Sequence, residues 1–422
     1  MQFVPVHRLS RLLFGGMFAF AIVSLFGEAN VQAQSPTDFT AWKTPQNADN
    51  VPIWASRMLN NLRNATGTAR EESLASTLTA LKEIAADDDV VPSTRYNAIL
   101  AAGQLVSVEQ SPGILPVAYS DALPYLIEVY QEPDTPYYLK YGALLGIVRH
   151  TNSSGFDPDR KDTVTDLFLD TVMTEFVPGI VTLDSVPLEP AVWEWFRHTA
   201  LDGLTALKTV GTDNEVVTEL LELINRESQE LEELTELEIT LTRAGWEQSH
   251  HAAKLASKTA KTLGDLKYAE ATDIDTEAIT DAFFRLTRAV CDINAKMIAD
   301  SIEQGGNSPN PTLLLERIVI NVKMGTHSVV WGVRNSLLTG RATEDSFYAS
   351  LEPDDPARKR LDVLMAEIIK LSTFLDEGDG ARRPIENMPK AFFFNLTELR
   401  DALAKTSEAL NEEEKPEWSE AQ

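Results

Sequence analysis

The sequence predicts an all-α fold in which helical hairpins stack first and longer helices follow. Three observations carry this. Apolar residues recur at steps of three and four, over runs too long for strands. An alanine-centred pattern occurs three times between residues 95 and 204. Past Gly211 the same periodicity continues in longer stretches separated by short polar breaks.

The N-terminal segment has a different character. His7, Arg8 and Arg11 make a basic start, Leu12 to Phe26 is apolar, and Glu28 ends the run. Val31-Gln32-Ala33 puts small residues at the −3 and −1 positions of a cleavage site. That is the layout of a secretory signal peptide over residues 1–33, with cleavage expected after Ala33 and an exported, periplasmic or secreted product. The apolar run is shorter than the roughly 20 residues that span a bilayer. An uncleaved anchor is the alternative, and only then does the chain meet a membrane. No Cys follows the run, which disfavours a bacterial lipoprotein. Residues 34–69 read as a linker or extended arm, with Pro36, Pro45 and Pro52 among polar residues.

Net charge is −27, and loss of residues 1–33 leaves 35 basic against 63 acidic residues. Such a surface repels nucleic acid and anionic lipid, because phosphate contacts need clustered Lys and Arg. It also keeps a protein in solution. The single cysteine, Cys291, permits no internal disulfide, so an exported fold relies on its core. It lies in an apolar stretch and reads as a small buried hydrophobe.

The repeated pattern aligns on Ala98, Ala143 and Ala200. Each has a cation at −3 (Arg95, Lys140, Arg197), a ring at −2 (Tyr96, Tyr141, His198) and a small residue at +3 (Ala101, Gly146, Gly203). Small residues at 0 and +3 share a helix face and let a neighbouring helix approach closely. A preceding helix is expected in each unit, over Ser73–Ala85, Asp121–Tyr130 and Asp162–Glu175. Leu123-Pro124-x-Leu126-Ile127, followed by Asp134, Pro136, Lys140 and Ala143, resembles the HEAT repeat. That resemblance is good in the middle unit and partial in the other two, and it covers residues 70–212. It implies an α-solenoid, whose stacked hairpins present an extended concave face without a closed pocket. An irregular helical bundle is the alternative.

Between the paired helices of the third unit, Phe176 to Pro190 carries Pro178, Gly179, Pro187 and Pro190, too long for a plain turn. It is either a binding loop or a packed cap. Residues 213–410 read as a C-terminal helical region, an antiparallel bundle or degenerate repeats. Its runs are Asp213–Leu241, Thr276–Ile302, Thr312–Leu338, Pro356–Leu375 and Ala391–Leu410, with breaks at residues 305–309, 352–355 and 378–380. Residues 411–422 form an acidic tail, expected to be disordered.

Catalytic spacings are scarce. The chain has no Gly-x-Ser-x-Gly, no phosphate loop, no His-Glu-x-x-His and no Cys-x-x-Cys-His, so no cofactor is implied. Glu247 and His251 are four apart on one helix face and could reach one metal, with no third ligand visible. The plainer reading is a solvated helix surface. Lys254, Lys258, Lys261 and Lys267 follow as a basic stripe, preceded by an acidic run from Glu227 to Glu238. The two helices could pair through these charges, the lysines could face water, or the stripe could dock an anionic polymer or acidic partner. Asp157-Pro158-Asp159 with Asp162 could hold calcium, but lacks the glycine and distal glutamate of an EF-hand, and Asp162 also suits a helix cap. Asp273 to Glu277 reads as a cap followed by acidic first-turn residues. Trp193 and Trp195 either grip a peptide or sugar or seal the repeat core.

The function expected is therefore a non-enzymatic exported scaffold that binds a protein or other macromolecule. Its surface would be built from the second helices of the three units, with Arg95, Lys140 and Arg197 near the edge. In a HEAT-like unit, a cation at that position also pairs with an Asp of the neighbouring turn. The alternatives are a metal-dependent enzyme or enzyme accessory subunit, with its site around Glu247 and His251, and an envelope-anchored structural protein.

Overall fold

Helix pairs form where the alanine pattern lies. The computed structural model describes residues 39–110, 112, 115–174, 182–183, 186–187, 190–237, 243–304, 345–380 and 388–413. Among these are fourteen α-helices and two short two-stranded hairpins, so the fold is all-α. In order, the first are α1 (Phe39–Trp42), α2 (Val51–Asn64), α3 (Gly67–Ala86), α4 (Pro92–Ala102), α5 (Ala122–Gln131), α6 (Tyr137–Thr151), α7 (Lys161–Met173) and α8 (Pro190–Leu207). There follow α9 (Glu215–Glu236), α10 (Arg243–Gly264), α11 (Thr276–Gln304), α12 (Phe347–Ser350), α13 (Pro356–Gly380) and α14 (Met388–Glu413).

Packing follows two rows. Each of α3/α4, α5/α6, α7/α8 and α9/α10 packs as a pair. The second members pack on one another in sequence, α4 on α6, α6 on α8, and α8 on α10, and α2 extends the row by packing on α4. In the other row α7 packs on α9. The pairing therefore continues past residue 212 through α10. Beyond it the arrangement changes: α11 lies against α9 and α14, and α13 against α14.

The alanines explain the row of second helices. Ala98, Ala143 and Ala200 are all fully buried, as are their +1 neighbours Ile99, Leu144 and Leu201. Full burial of such a branched side chain stabilises by about 1.5–3 kcal/mol. Where α4 crosses α6 the backbones nearly touch, and a Cβ on Gly103 would sit 2.6 Å from the Cα of Gly146. No side chain fits on Gly103, and one on Gly146, the small residue at +3 in the second unit, would crowd a Leu126 methyl and the Gly103 backbone.

Several expectations change. Residues 39–64, read as part of an extended arm, are largely helical and carry core. Val51, Trp54, Ala55, Met58 and Leu62 are buried at helical spacing in α2. Pro52 falls in the first turn, where its missing N–H costs no hydrogen bond. The run Asp213–Leu241 shortens to α9. The break expected at 378–380 lies within α13, and α14 extends to Glu413. The residues 305–309 break and the Thr312–Leu338 helix lie outside the described residues. A β-hairpin, Val106–Val108 with Val117–Ala118, joins α4 to α5. In the Pro-rich insertion, Thr182–Leu183 pairs with Val186–Pro187, and the rest is outside the described residues. No described helix is long and apolar enough to cross a membrane, and residues 1–38, with the expected signal segment, are not among those described.

Candidate functional site

The cations of the repeat are used inside the stack. Arg95 and Arg197 are both buried. Arg95 Nε donates to the Ala85 carbonyl at 2.9 Å, and Arg197 Nε donates to the Val172 carbonyl at 2.8 Å. Both acceptors lie in the last turn of the preceding helix, where carbonyls lack intrahelical partners. The expected pairing with a turn aspartate holds for Arg95, which meets Asp88 at 2.7 Å. Arg197 instead meets Glu227 of α9 and Glu194, each at 3.4 Å. Lys140 is half-buried, and burial lowers its pKa against the opposing pull of Glu132 and Asp134 in the α5–α6 turn. Arg95 and Arg197, expected near the edge of a binding surface, are thus buried between helices and engaged at the ends of the preceding ones.

The rings of the repeat sit where second helices meet, with Tyr96 against Gly142 of α6 and His198 buried. Tyr96 and Tyr141 are half-buried. Trp193 and Phe196 stack at 5.3 Å in the core, and the Trp193 indole donates to the Thr174 carbonyl. Trp195, two residues on and so on the other face, is 55% exposed and rests against Tyr141 with ring centres 6.4 Å apart. The two tryptophans therefore divide between the two readings: Trp193 seals the unit and Trp195 presents an apolar face outward.

The seam between α8 and α10 holds the most unusual group. His198 is 9% exposed, and neither ring nitrogen has a hydrogen-bond partner. Burial, then Lys258, Lys254, Arg197 and His251, lower its pKa to about 2, so the ring is neutral. The Glu194 carboxylate, 3.7 Å away, pulls the other way but is itself shared with Arg197. His198 occupies the position where the other units carry tyrosine. That substitution of a titratable ring was the signal in the sequence, and the pattern's demand for an aromatic concealed it.

In the basic stripe Lys254 is exposed, Lys258 and Lys261 are half-buried on α10, and Lys267 lies just past its end. Lys258 pairs with Asp202 of α8 at 2.8 Å, and Lys267 meets Glu270 at 3.9 Å. Among the described residues, Lys254 and Lys261 make no ion pair. The acidic run of α9 does not answer these lysines. Glu227 turns to Arg197, Glu230 accepts from Gln248, and Glu232 takes Arg285 of α11 through both oxygens. The two helices meet through apolar faces, Leu220, Ile224 and Leu231 against Trp246, Leu255 and Leu263, all buried.

The remaining candidates resolve simply. Among the described residues no three His, Cys, Asp or Glu side chains converge, so Glu247 and His251 have no third metal ligand. Asp157 accepts from the Asp159 N–H at 3.0 Å and caps a short 3-10 turn, while Asp162 sits in the first turn of α7 and not at its cap. Asp275 accepts from the Ala278 N–H at 2.9 Å and caps α11. Burial pushes the Cys291 thiol up to about 12, leaving it a hydrophobe. An open groove of about 500 Å³ between α9 and α11 includes Arg285 and Arg288, but Glu232 and Asn411 already engage them.

No family model, curated protein or solved structure matches this chain.

Proposed function

We propose that this chain is an exported, non-enzymatic HEAT-like scaffold that binds a protein partner across the outer face of its second helices. The observation that carries the reading is the exposed Trp195 laid on Tyr141, in the middle of a row running from α4 to α10. A rigid ring held at a helix–helix junction presents apolar area at little entropic cost, as binding anchors do. The signal-like layout of residues 1–33 supports export, and an exported chain with one inert cysteine depends on such a packed helical core. Residues 70–212 are the repeat region in this reading, with α9 and α10 as a further pair, and the helices beyond as a separate C-terminal region.

Two experiments test it. N-terminal sequencing of the exported form should begin at Gln34, and a start at Met1 contradicts cleavage. Pull-down from the periplasmic fraction should recover a partner with the wild-type chain and lose it with Trp195→Ala. Equal recovery by both removes the second-helix face from the account.

A further inference from the structure

Resting on that reading, we propose that the partner segment received at the α8–α10 end of the face is acidic. Its carboxylates lie along His251, Lys254 and Lys261 while an apolar side chain rests on Trp195.

Charge is the first argument. The chain carries −27 overall, yet His251, Lys254, Lys258 and Lys261 recur at three, four and three residues on one face of α10. At 1.5 Å per residue, that stripe is roughly 15 Å long, the reach of a short peptide. The acidic run of α9 is committed elsewhere, to Arg197, Gln248 and Arg285. Only Lys258 is neutralised from α8, by Asp202. Lys254 is exposed and holds no ion pair, while Lys261 has the Asp265 carboxylate near it, so the free positive charge centres on Lys254, and nearby negative ligand groups would be drawn to it.

Beside the stripe lies a group of a different kind. His198 sits in the same seam, nine-tenths buried, with two unpartnered ring nitrogens. A buried polar group without a partner costs about 1–3 kcal/mol. Burial, and after it the lysines of α10, keep the ring neutral, so one nitrogen retains an N–H able to donate to a carboxylate once the seam parts to expose it. Trp195 stands about one turn of α8 before His198 and rests on Tyr141 of α6, so its apolar surface and the lysines of α10 are offered from neighbouring helices of one row.

The test is a selection of random peptides displayed on phage against the full chain from Gln34, with affinities of the recovered peptides measured by fluorescence anisotropy. The proposal expects Asp- and Glu-rich sequences with an apolar residue. Their affinity should fall at least about tenfold in Lys254→Glu/Lys261→Glu, and should weaken in high salt as partly exposed charges are screened. Lys254 is exposed and holds no ion pair, so Lys254→Glu alone should lower affinity without moving the thermal midpoint, whereas Lys261→Glu also sets a carboxylate beside Asp265. Recovery of neutral or basic peptides, or affinity unchanged by the charge reversal, overturns the acidic assignment. If such peptides still lose affinity in Trp195→Ala, the scaffold reading stands without it. No enrichment, or indifference to both variants, defeats both.

Discussion

Arg95 and Arg197 make the same bond at two levels of the stack. Each donates its Nε hydrogen to the penultimate carbonyl of the helix before its own, Ala85 at 2.9 Å and Val172 at 2.8 Å. A cation three residues ahead of the buried alanine therefore closes the C-terminus of its hairpin partner. A hydrogen bond to a charged group contributes about 1.5–3 kcal/mol, so Arg95→Met should lower stability by that amount in urea unfolding. Retention of wild-type stability would deny the arginine this role.

Arg197 carries a further burden, because it is the counter-ion of Glu227 on α9 and ties the third pair to the fourth. Burial raises the Glu227 pKa, and Arg197 is the principal influence opposing that rise. Arg197→Met should cost up to about 3–5 kcal/mol at neutral pH, since it leaves the buried carboxylate with only Arg226, at 3.6 Å. The loss should shrink as the pH falls and Glu227 takes up a proton. Arg197→Met/Glu227→Gln should recover part of the stability, and simple additivity of the two substitutions would contradict their coupling.

Gly146 tests the packing of the row. A Cβ there would lie 2.8 Å from a Leu126 methyl and 3.1 Å from the Gly103 Cα. Gly146→Val should destabilise by about 1–3 kcal/mol through overpacking, even though valine hides more apolar surface. Gly67→Ala meets nothing within 4 Å but stands at φ +60°, so its cost is one of backbone strain alone. Comparing the two by thermal unfolding separates crowding from strain.

Acid should loosen the stack through its buried histidines. Burial, with Arg149 beside it, lowers the His150 pKa to about 4, and His198 lies lower still. Below pH 6.5 the unfolded chain binds protons that these folded rings refuse, so their contribution falls as pH drops. For His150 the loss is at most about 3 kcal/mol by pH 4. Buried Glu227 and half-buried Asp265 and Asp292 have raised pKa values and act in the opposite sense. The difference between wild type and His150→Gln/His198→Gln isolates the histidines. The variant should show a flatter acid limb, and parallel limbs would refute the assignment.

The helix pairs were legible because their apolar faces recur over ten or more residues. Ala98, Ala143 and Ala200 reach the same buried level in successive second helices. Residues 51–64 escaped because three prolines among polar residues hide the spacing of Trp54, Met58 and Leu62, although a proline in the first turn is no obstacle. The hairpin at Val106–Val108 is too short for alternation to register. Side-chain destinations were less legible than elements. Sequence spacing shows that Arg197 and Lys258 share faces with their neighbours, but only packing decides that one meets Glu227 and the other Asp202. The exposed Trp195 and the buried Trp193 are two residues apart, and their division depends on which side of α8 the sixth helix occupies.

Site-specific photo-crosslinking tests the central claim most directly. A photoreactive phenylalanine would be placed at position 195 or 254 on the second-helix row, and at the exposed position 166 on α7 of the other row. Irradiation in an extract of the native cell envelope should give a discrete protein adduct at 195 and 254 and none at 166. An adduct at 166 alone, or none at any of the three, would contradict a binding face built from the second helices.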